Sequence, residues 1–134
     1  MPTKLLLIFI GAGIGGVLRY LIAGWTQNLT INATLFPTGT LAVNLIGCLI
    51  IGFLATAFTG NTAPIRIDEP YRIAILVGIL GGFTTFSSFG YETLELLKER
   101  EFMLAILNIT ISNLGGLAAV FFGWKIAQRI FGLS

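Results

Sequence analysis

The most distinctive stretch of this chain is Gly81-Gly82-Phe83-Thr84-Thr85-Phe86-Ser87-Ser88-Phe89, which lies inside a long apolar run. Its two glycines loosen a helix, and its hydroxyl groups and spaced phenylalanine rings are unusual in lipid-like sequence. In a bilayer, backbone groups that leave helical geometry find no water, so a broken helix is tolerated only where it is buried in protein or lines a cavity. The stretch therefore predicts a membrane helix that is broken near mid-membrane, beside a pathway or an ion site.

Composition places the whole chain in a membrane. It has 134 residues, of which 55% are hydrophobic and 10% are charged, and its mean hydropathy is +0.91, far from the composition of ordinary soluble domains. A spanning helix takes about 20 residues, so the chain holds four spans and almost nothing else. We therefore expect an all-α membrane protein in which residues 1–134 form a single transmembrane domain. No soluble catalytic domain fits, so we do not expect an enzyme.

The predicted spans cover approximately residues 5–25, 38–58, 73–97 and 103–131, and the third contains the broken stretch. Short polar connectors separate the spans. Pro37 suits the first turn of the second span. The apolar pattern of the first span continues through Trp25, which favours a retained span over a cleaved secretory signal.

Several kinds of site are excluded within one chain. Histidine is absent and Cys48 is the only cysteine, so a single chain builds neither a disulfide nor a Cys/His metal site. The net charge of +2 comes from a few flanking Lys and Arg residues, and no basic run indicates nucleic acid.

The segment 11–16 formally matches the dinucleotide fingerprint G-x-G-x-x-G. That fingerprint needs an acidic residue about 20 positions further on, whereas the first acidic residue of this chain is Asp68. Small residues three and four apart let membrane helices approach closely. The segment therefore predicts helix packing rather than nucleotide binding.

The basic residues of the connectors are spread over both sides of the predicted membrane. Lys4, Arg66, Arg72, Lys125 and Arg129 fall on one side, and Lys98 and Arg100 fall on the other. This bias is modest, which is compatible with insertion in both orientations and would permit an antiparallel pair. Four short helices are also thin walls for a pore, so we expect at least a homodimer.

Polar side chains within the spans lie on single helix faces. Thr40 and Asn44 are one turn apart in the second span, and Asn108 and Ser112 repeat this spacing in the fourth. Hydrogen bonding between helices is the ordinary role of such residues, and lining an ion path is the alternative. Neither stripe contains a carboxylate, and neutral donors suit an anion better than a cation.

Phe86 and Phe89 stand three apart and stack along one face of the third span. Such stripes usually pack or face lipid, but phenylalanine ring edges are positive and can accept a small anion in a dry lumen. Glu92 and Glu95 come later and are interpreted as solvated charges near the membrane surface. Arg19 lies within the first span, where it is either a functional charge or a residue that snorkels to the interface. Both alternatives stay open at this point, and either would favour anions locally.

Together these segments resemble the Fluc (CrcB) family of fluoride channels. The likeness covers nearly the whole chain in the family's order, and its segments from the second and third spans are too specific for chance agreement. The matching segments are residues 11–20, which include Arg19, residues 36–47, residues 81–89 and residues 108–116.

The resemblance implies an antiparallel, dual-topology homodimer with two separate pores, each built from both subunits. Through them fluoride would leave the cell passively across a prokaryotic plasma or inner membrane, giving fluoride resistance. The pore residues carried over by motif are Phe86, Phe89, Asn44, Ser112, Thr85 and Thr40. Of these, the phenylalanines would present ring edges, the asparagine would orient them and donate to the ion, and the serine looks like a wall hydroxyl. The implied partners are a second copy of the chain, fluoride and membrane lipid, with no nucleic acid.

The resemblance also implies a structural sodium ion at the dimer interface. Backbone carbonyls of Gly81 and Thr84 from each subunit would hold it, and carbonyls of an unwound membrane helix are a recurrent sodium site. Arg19 matches the family's first-span arginine and would supply positive potential near a pore vestibule. Two positions depart from the family pattern: Asn108 stands where tyrosine is expected, and Ser88 replaces threonine. The first departure leaves the lining of the fourth span open.

Two other functions remain as alternatives. A small multidrug-type exporter can also be a four-helix dual-topology dimer, but it would be expected to place a carboxylate in the middle of the first span, and residues 5–25 contain none. A non-transporting membrane assembly subunit needs only glycine-rich packing. That role leaves Asn44 and the Phe86/Phe89 pair without a purpose.

Overall fold

The computed structural model describes residues 1–60 and 63–133, which are helical apart from short connectors and contain no strand. The helices follow in the order α1 (Pro2–Thr30), α2 (Thr38–Phe58), α3 (Glu69–Ile73), a π-helix (Ala74–Ile79), α4 (Leu80–Phe83), α5 (Phe86–Lys98) and α6 (Phe102–Phe131). Four stretches are long and apolar enough to cross a membrane: Pro2–Thr30, Thr38–Phe58, Glu69–Lys98 and Phe102–Phe131. This confirms the expected all-helical fold with four membrane-capable helices.

The first helix extends beyond the predicted 5–25, and two hydroxyls in its added part bond to carbonyls of the same helix. The Thr26 hydroxyl donates to the Ile22 carbonyl at 2.7 Å, and the Thr30 hydroxyl donates to the Gln27 carbonyl at 3.2 Å. Pro37 immediately precedes α2 as its N-cap residue, one position before the predicted first turn.

Between α4 and α5 the backbone is extended for two residues. Thr84 has φ −86° and ψ 159°, and Thr85 has φ −152° and ψ 117°. The Leu80 carbonyl accepts the N–H and the hydroxyl of Thr84, both at 3.0 Å. The Thr85 hydroxyl accepts the Ser88 N–H at 3.2 Å, which caps the start of α5. The hydroxyl-rich sequence therefore supplies bonds that helix ends otherwise lack.

Glycines set the contact between α1 and the third membrane stretch. A Cβ on Gly11 or Gly15 would overlap backbone atoms of the π-helix, and a Cβ on Gly82 would overlap the Ala12 backbone. The packing interpretation of segment 11–16 is therefore confirmed for Gly11 and Gly15. Gly13 faces no described atom within 4 Å, so it plays no part in this contact.

Glycines also let α2 and α6 approach closely. A Cβ on Gly52 would overlap the Val120 carbonyl, and a Cβ on Gly123 would overlap the Leu49 carbonyl. Farther along, the Phe53 and Phe131 rings lie with centroids 5.9 Å apart. The contacts of Leu45 with Gly115, Cys48 with Gly116 and Gly52 with Val120 rise together along both helices, so α2 and α6 run in the same direction.

The four membrane stretches alternate in direction along the chain, so the start of α1, residues 63–68 and the end of α6 share one end. We call it the terminal end, and the end with connectors 31–37 and 99–101 the opposite end. The ion pair of Lys4 with Glu69, at 2.7 Å, joins the starts of the first and third stretches there. Large apolar side chains such as Leu117 are mostly exposed on the outside of the protomer, as expected for a surface that lipid or a second subunit covers.

Candidate functional site

A cavity of about 370 Å³ lies beside the extended residues. We call it the break cavity. It is lined from α2, the third membrane stretch and α6, and among its lining residues are Asn44, Gly81, Thr84, Thr85, Phe86, Phe89, Ser112 and Asn113. The fold thus brings most of the sequence-predicted site residues to one space. Thr40 and Arg19 do not line it.

Phe86 and Phe89 meet at the edge of the break cavity. Their ring centroids are 5.3 Å apart with an interplanar angle of 48°, so the rings are tilted rather than stacked in parallel. Phe86 is 80% exposed on the isolated protomer, whereas Phe89 is 9% exposed. Phe89 is therefore fixed by packing within the described chain, whereas the Phe86 ring is largely uncovered.

Asn44 pairs with the backbone of Thr85. The Thr85 N–H donates to Asn44 Oδ1 at 2.8 Å, and Asn44 Nδ2 donates to the Thr85 carbonyl at 3.0 Å. The amide thereby supplies the donor and the acceptor that a peptide group would give to Thr85 in regular secondary structure. One N–H of the amide is used in this pairing, and an amide has two, so a second donor is available to the cavity.

Because two N–H groups donate to side chains near the extended residues, two backbone carbonyls are left without their helical partners. In an unbroken helix the Thr85 N–H would reach the Gly81 carbonyl, and the Ser88 N–H would reach the Thr84 carbonyl. Instead these N–H groups donate to Asn44 Oδ1 and to the Thr85 hydroxyl. Neutral carbonyl oxygens are suitable ligands for a hard cation, so the Gly81 and Thr84 pair fits the donor type of the predicted sodium site.

Arg19 reaches toward the extended residues from α1. Its Nη1 donates to the Thr84 carbonyl at 3.3 Å, and the side chain lines a second cavity, of about 380 Å³, together with Thr85, Ser88 and Glu92. The guanidinium therefore contacts backbone inside the protomer rather than snorkelling to the interface. It also places a positive charge beside one of the two carbonyls assigned to sodium.

Glu92 is half-buried, so the interpretation of this residue as a fully solvated charge was wrong. The Thr40 hydroxyl donates to Glu92 Oε1 at 2.5 Å, and Oε2 is buried with no hydrogen-bond partner among the described residues. The reason is that α5 begins only at Phe86, which leaves Glu92 about 9 Å along the helix from that start. Its spacing of three from Phe89 was the available signal, because it continues the Phe86 and Phe89 face.

Asn108 is the most deeply buried polar residue of α6, at 1% exposure. Its Nδ2 donates to the Thr93 hydroxyl at 2.9 Å, and the Ser112 hydroxyl donates to its Oδ1 at 3.3 Å. The position where tyrosine was expected is therefore occupied by an amide that links α5 to α6.

Comparison with known proteins identifies the family. The profile described as "CrcB-like protein, Camphor Resistance (CrcB)" matches residues 6–124, which is most of the chain. The chain belongs to the CrcB family.

Relatives named "Fluoride-specific ion channel FluC" match this CrcB chain over nearly its whole length. The Helicobacter pylori (strain J99) protein is 39% identical over 126 residues, covering 93% of each chain. The Sulfurovum protein is 38% identical over 131 residues, covering 98% of each. The Chloroflexus aurantiacus protein is 43% identical over 121 residues, covering 90% of this chain and 92% of its own. A CrcB chain with four apolar helices is a multi-pass membrane protein.

Proposed function

We propose that this CrcB protein is a fluoride-selective channel that lets fluoride leave the cell passively. It would act as an antiparallel, dual-topology homodimer with two pores, in which the interruption at Thr84 and Thr85 lies near mid-membrane. The observation that carries the proposal is the break cavity, which gathers Phe86, Phe89, Asn44, Thr85 and Ser112 around one space. Relatives named as fluoride-specific channels along nearly the whole chain support the choice of ion.

The lining of the break cavity favours a small anion. It offers hydroxyl, amide and ring-edge groups, and none of its lining residues is an acid. Fluoride is small and strongly hydrated, so a dry pore must replace its water with close donors. A narrow passage of such donors fits chloride poorly, because selectivity filters depend on matching ligands to the size and hydration of the ion.

The protomer alone leaves this path incomplete. Phe86 is 80% exposed, and Gly81 faces no described atom within 4 Å. A second copy would cover both positions, and an antiparallel arrangement would give each pore a wall from each subunit. The same arrangement would bring the Gly81 and Thr84 carbonyls of both subunits together, and these are the groups that would hold a structural sodium ion. The Thr84 carbonyl also accepts from Arg19, so its second lone pair would be the one that faces the ion. A bound sodium would supply positive charge and rigidity at the centre of the dimer.

Arg19 and Thr40 would act beside the path rather than in the break cavity. Arg19 would add positive potential on the far side of Thr84, and Thr40 would act through its hydrogen bond to Glu92. Positive potential in a low-dielectric region raises the local concentration of an anion.

The test is ion efflux from liposomes that contain the purified protein. Fluoride release is followed with a fluoride electrode, and matched vesicles loaded with chloride serve as the selectivity control. We expect protein-dependent fluoride release with negligible chloride release, and a rate that does not change when a pH gradient is imposed and the voltage is held. A well-folded dimer that releases no fluoride would overturn the proposal. Release that follows the pH gradient would instead favour a proton-coupled transporter.

A further inference from the structure

A directed chain of hydrogen bonds runs from the wall of the break cavity into the contact between α5 and α6. The Ser112 hydroxyl donates to Asn108 Oδ1 at 3.3 Å, and Asn108 Nδ2 donates to the Thr93 hydroxyl at 2.9 Å. The Thr93 hydroxyl in turn donates to the Phe89 carbonyl at 2.7 Å. Asn108 and Thr93 are 1% and 8% exposed, so the inner part of the chain is shielded from the cavity.

The Phe89 carbonyl at the end of this series of hydrogen bonds sets its direction. A backbone carbonyl only accepts, so Thr93 must give its single proton to Phe89. The Thr93 oxygen is then an acceptor, and it requires the NH₂ side of the Asn108 amide. That orientation turns Oδ1 toward Ser112, whose hydroxyl must donate to it. The hydroxyl protons of Thr93 and Ser112 are therefore both committed away from the break cavity.

This direction has a consequence for an anion in the cavity. Ser112 lines the break cavity, yet with its one proton on Asn108 it presents oxygen lone pairs to that space. Lone pairs repel an anion, whereas a free hydroxyl proton would attract it. We infer that Asn108 is a positioning residue that holds the Ser112 proton away from the fluoride path and so limits the contribution of Ser112 to fluoride passage. The inference rests on the proposed fluoride function.

The protein offers a matched control residue on the same helix. Asn113 follows Ser112 directly and lines the same cavity, but its Nδ2 donates to the Ile109 carbonyl of its own helix at 2.7 Å. Replacing this amide changes the polarity of α6 to the same extent as replacing Asn108. It leaves the Ser112 hydrogen bond in place.

The experiment measures how much Ser112→Ala reduces fluoride efflux in four backgrounds. They are the native chain, Asn108→Leu, Thr93→Val and Asn113→Leu. Asn108→Leu removes the acceptor that holds the Ser112 proton. Thr93→Val is nearly isosteric and removes the acceptor of the Asn108 NH₂ group, so the amide is free to turn that group toward Ser112. Both changes release the Ser112 proton toward the cavity.

We expect Ser112→Ala to reduce the efflux rate by less than about twofold in the native and Asn113→Leu backgrounds, because the proton is already committed. In the Asn108→Leu and Thr93→Val backgrounds the reduction should reach about fivefold, the size of one ordinary hydrogen bond. A merely structural role for Asn108 would lower all rates without changing the effect of Ser112→Ala.

Each outcome bears on the inference. Equal reductions in all four backgrounds would overturn it, and so would a reduction of fivefold or more in the native chain, because Ser112 would then already donate to the ion. If Asn108→Leu does not fold, Thr93→Val still decides the question. Absence of fluoride release from the native protein would overturn the proposed function itself, whereas native release with equal reductions would overturn only the role of Asn108.

Discussion

Asn44 supports backbone geometry as much as it faces the cavity, because its two hydrogen bonds to Thr85 hold the extended residues in place. Asn44→Asp removes the donor to the Thr85 carbonyl and sets a carboxylate oxygen against it. A buried polar group left without its partner is destabilising by about 1–3 kcal/mol, and the new negative charge repels fluoride. We expect a lower denaturation midpoint in detergent and fluoride efflux reduced by about tenfold or more.

Asn113→Asp separates these two effects. It places a similar charge at the same cavity, but the native Asn113 amide bonds only within its own helix. Its efflux should fall while its denaturation midpoint stays near that of the native protein. An Asn44→Asp protein as stable as Asn113→Asp would show that the pairing with Thr85 does not support the extended backbone.

Substitution of Phe86 tests whether a phenylalanine ring edge contributes to fluoride passage. Phe86→Ile keeps an apolar side chain of similar reach but removes the positive ring edge, whose interactions are worth about 1 kcal/mol. We expect fluoride efflux to fall by about fivefold or more, the factor that corresponds to about 1 kcal/mol, while size-exclusion chromatography still shows a dimer. Phe9→Ile is the control, since Phe9 is also strongly exposed, at 76%, but lies on α1 away from the cavity. Unchanged efflux in Phe86→Ile would remove the ring-edge argument.

At the level of helices, the glycines of α1 divide into those that carry a contact and those that do not. Gly15→Ala places a Cβ against the Ile79 carbonyl of the π-helix, whereas Gly13→Ala meets no described atom within 4 Å. Overpacking a close contact is destabilising by about 1–3 kcal/mol, and Gly to Ala in a helix otherwise stabilises by about 1 kcal/mol. Thermal denaturation in detergent should therefore show Gly15→Ala less stable and Gly13→Ala at least as stable as the native protein. The reverse order would mean that Gly13, and not Gly15, lies on the face of α1 that packs against the π-helix.

The helices themselves could be predicted from sequence because an apolar run is a local property. The segment that lines the break cavity could also be located from sequence, since the glycines and hydroxyls of residues 81–89 stand out within an apolar run. The π-helix Ala74–Ile79 has no such signal, because its residues are ordinary apolar ones. Its conformation accompanies the close approach of the α1 backbone at Gly11, which is a property of two helices together.

The same distinction between local features and contacts between helices applies to the candidate site. Residue types on one helix face, such as Phe86 and Phe89, are visible in the spacing. The partners of Arg19 and Glu92 are not, because Arg19 to Thr84 and Thr40 to Glu92 join residues 65 and 52 positions apart. Such pairs depend on the rotation and height of one helix against another, which the periodicity of a single helix does not contain.

The whole molecule raises the question of orientation. The terminal end carries Lys4, Arg66, Arg72, Lys125 and Arg129, and the opposite end carries Lys98 and Arg100. By the positive-inside rule this difference would favour placing the terminal end in the cytoplasm. An antiparallel dimer needs both orientations in equal number, because each pore would take one wall from each.

Single cysteines at the two ends decide between these outcomes. In a Cys48→Ser background, Pro64→Cys marks the terminal end and Glu99→Cys marks the opposite end, both at exposed positions. An antiparallel pair has one protomer in each direction, so a membrane-impermeant thiol reagent should label about half of either variant in intact cells and the rest after permeabilisation. Full labelling at one position with none at the other would mean a single orientation set by the basic residues. This result would contradict the two-pore arrangement, because parallel protomers are not related by a two-fold axis in the membrane plane and so would not each contribute a wall to both pores.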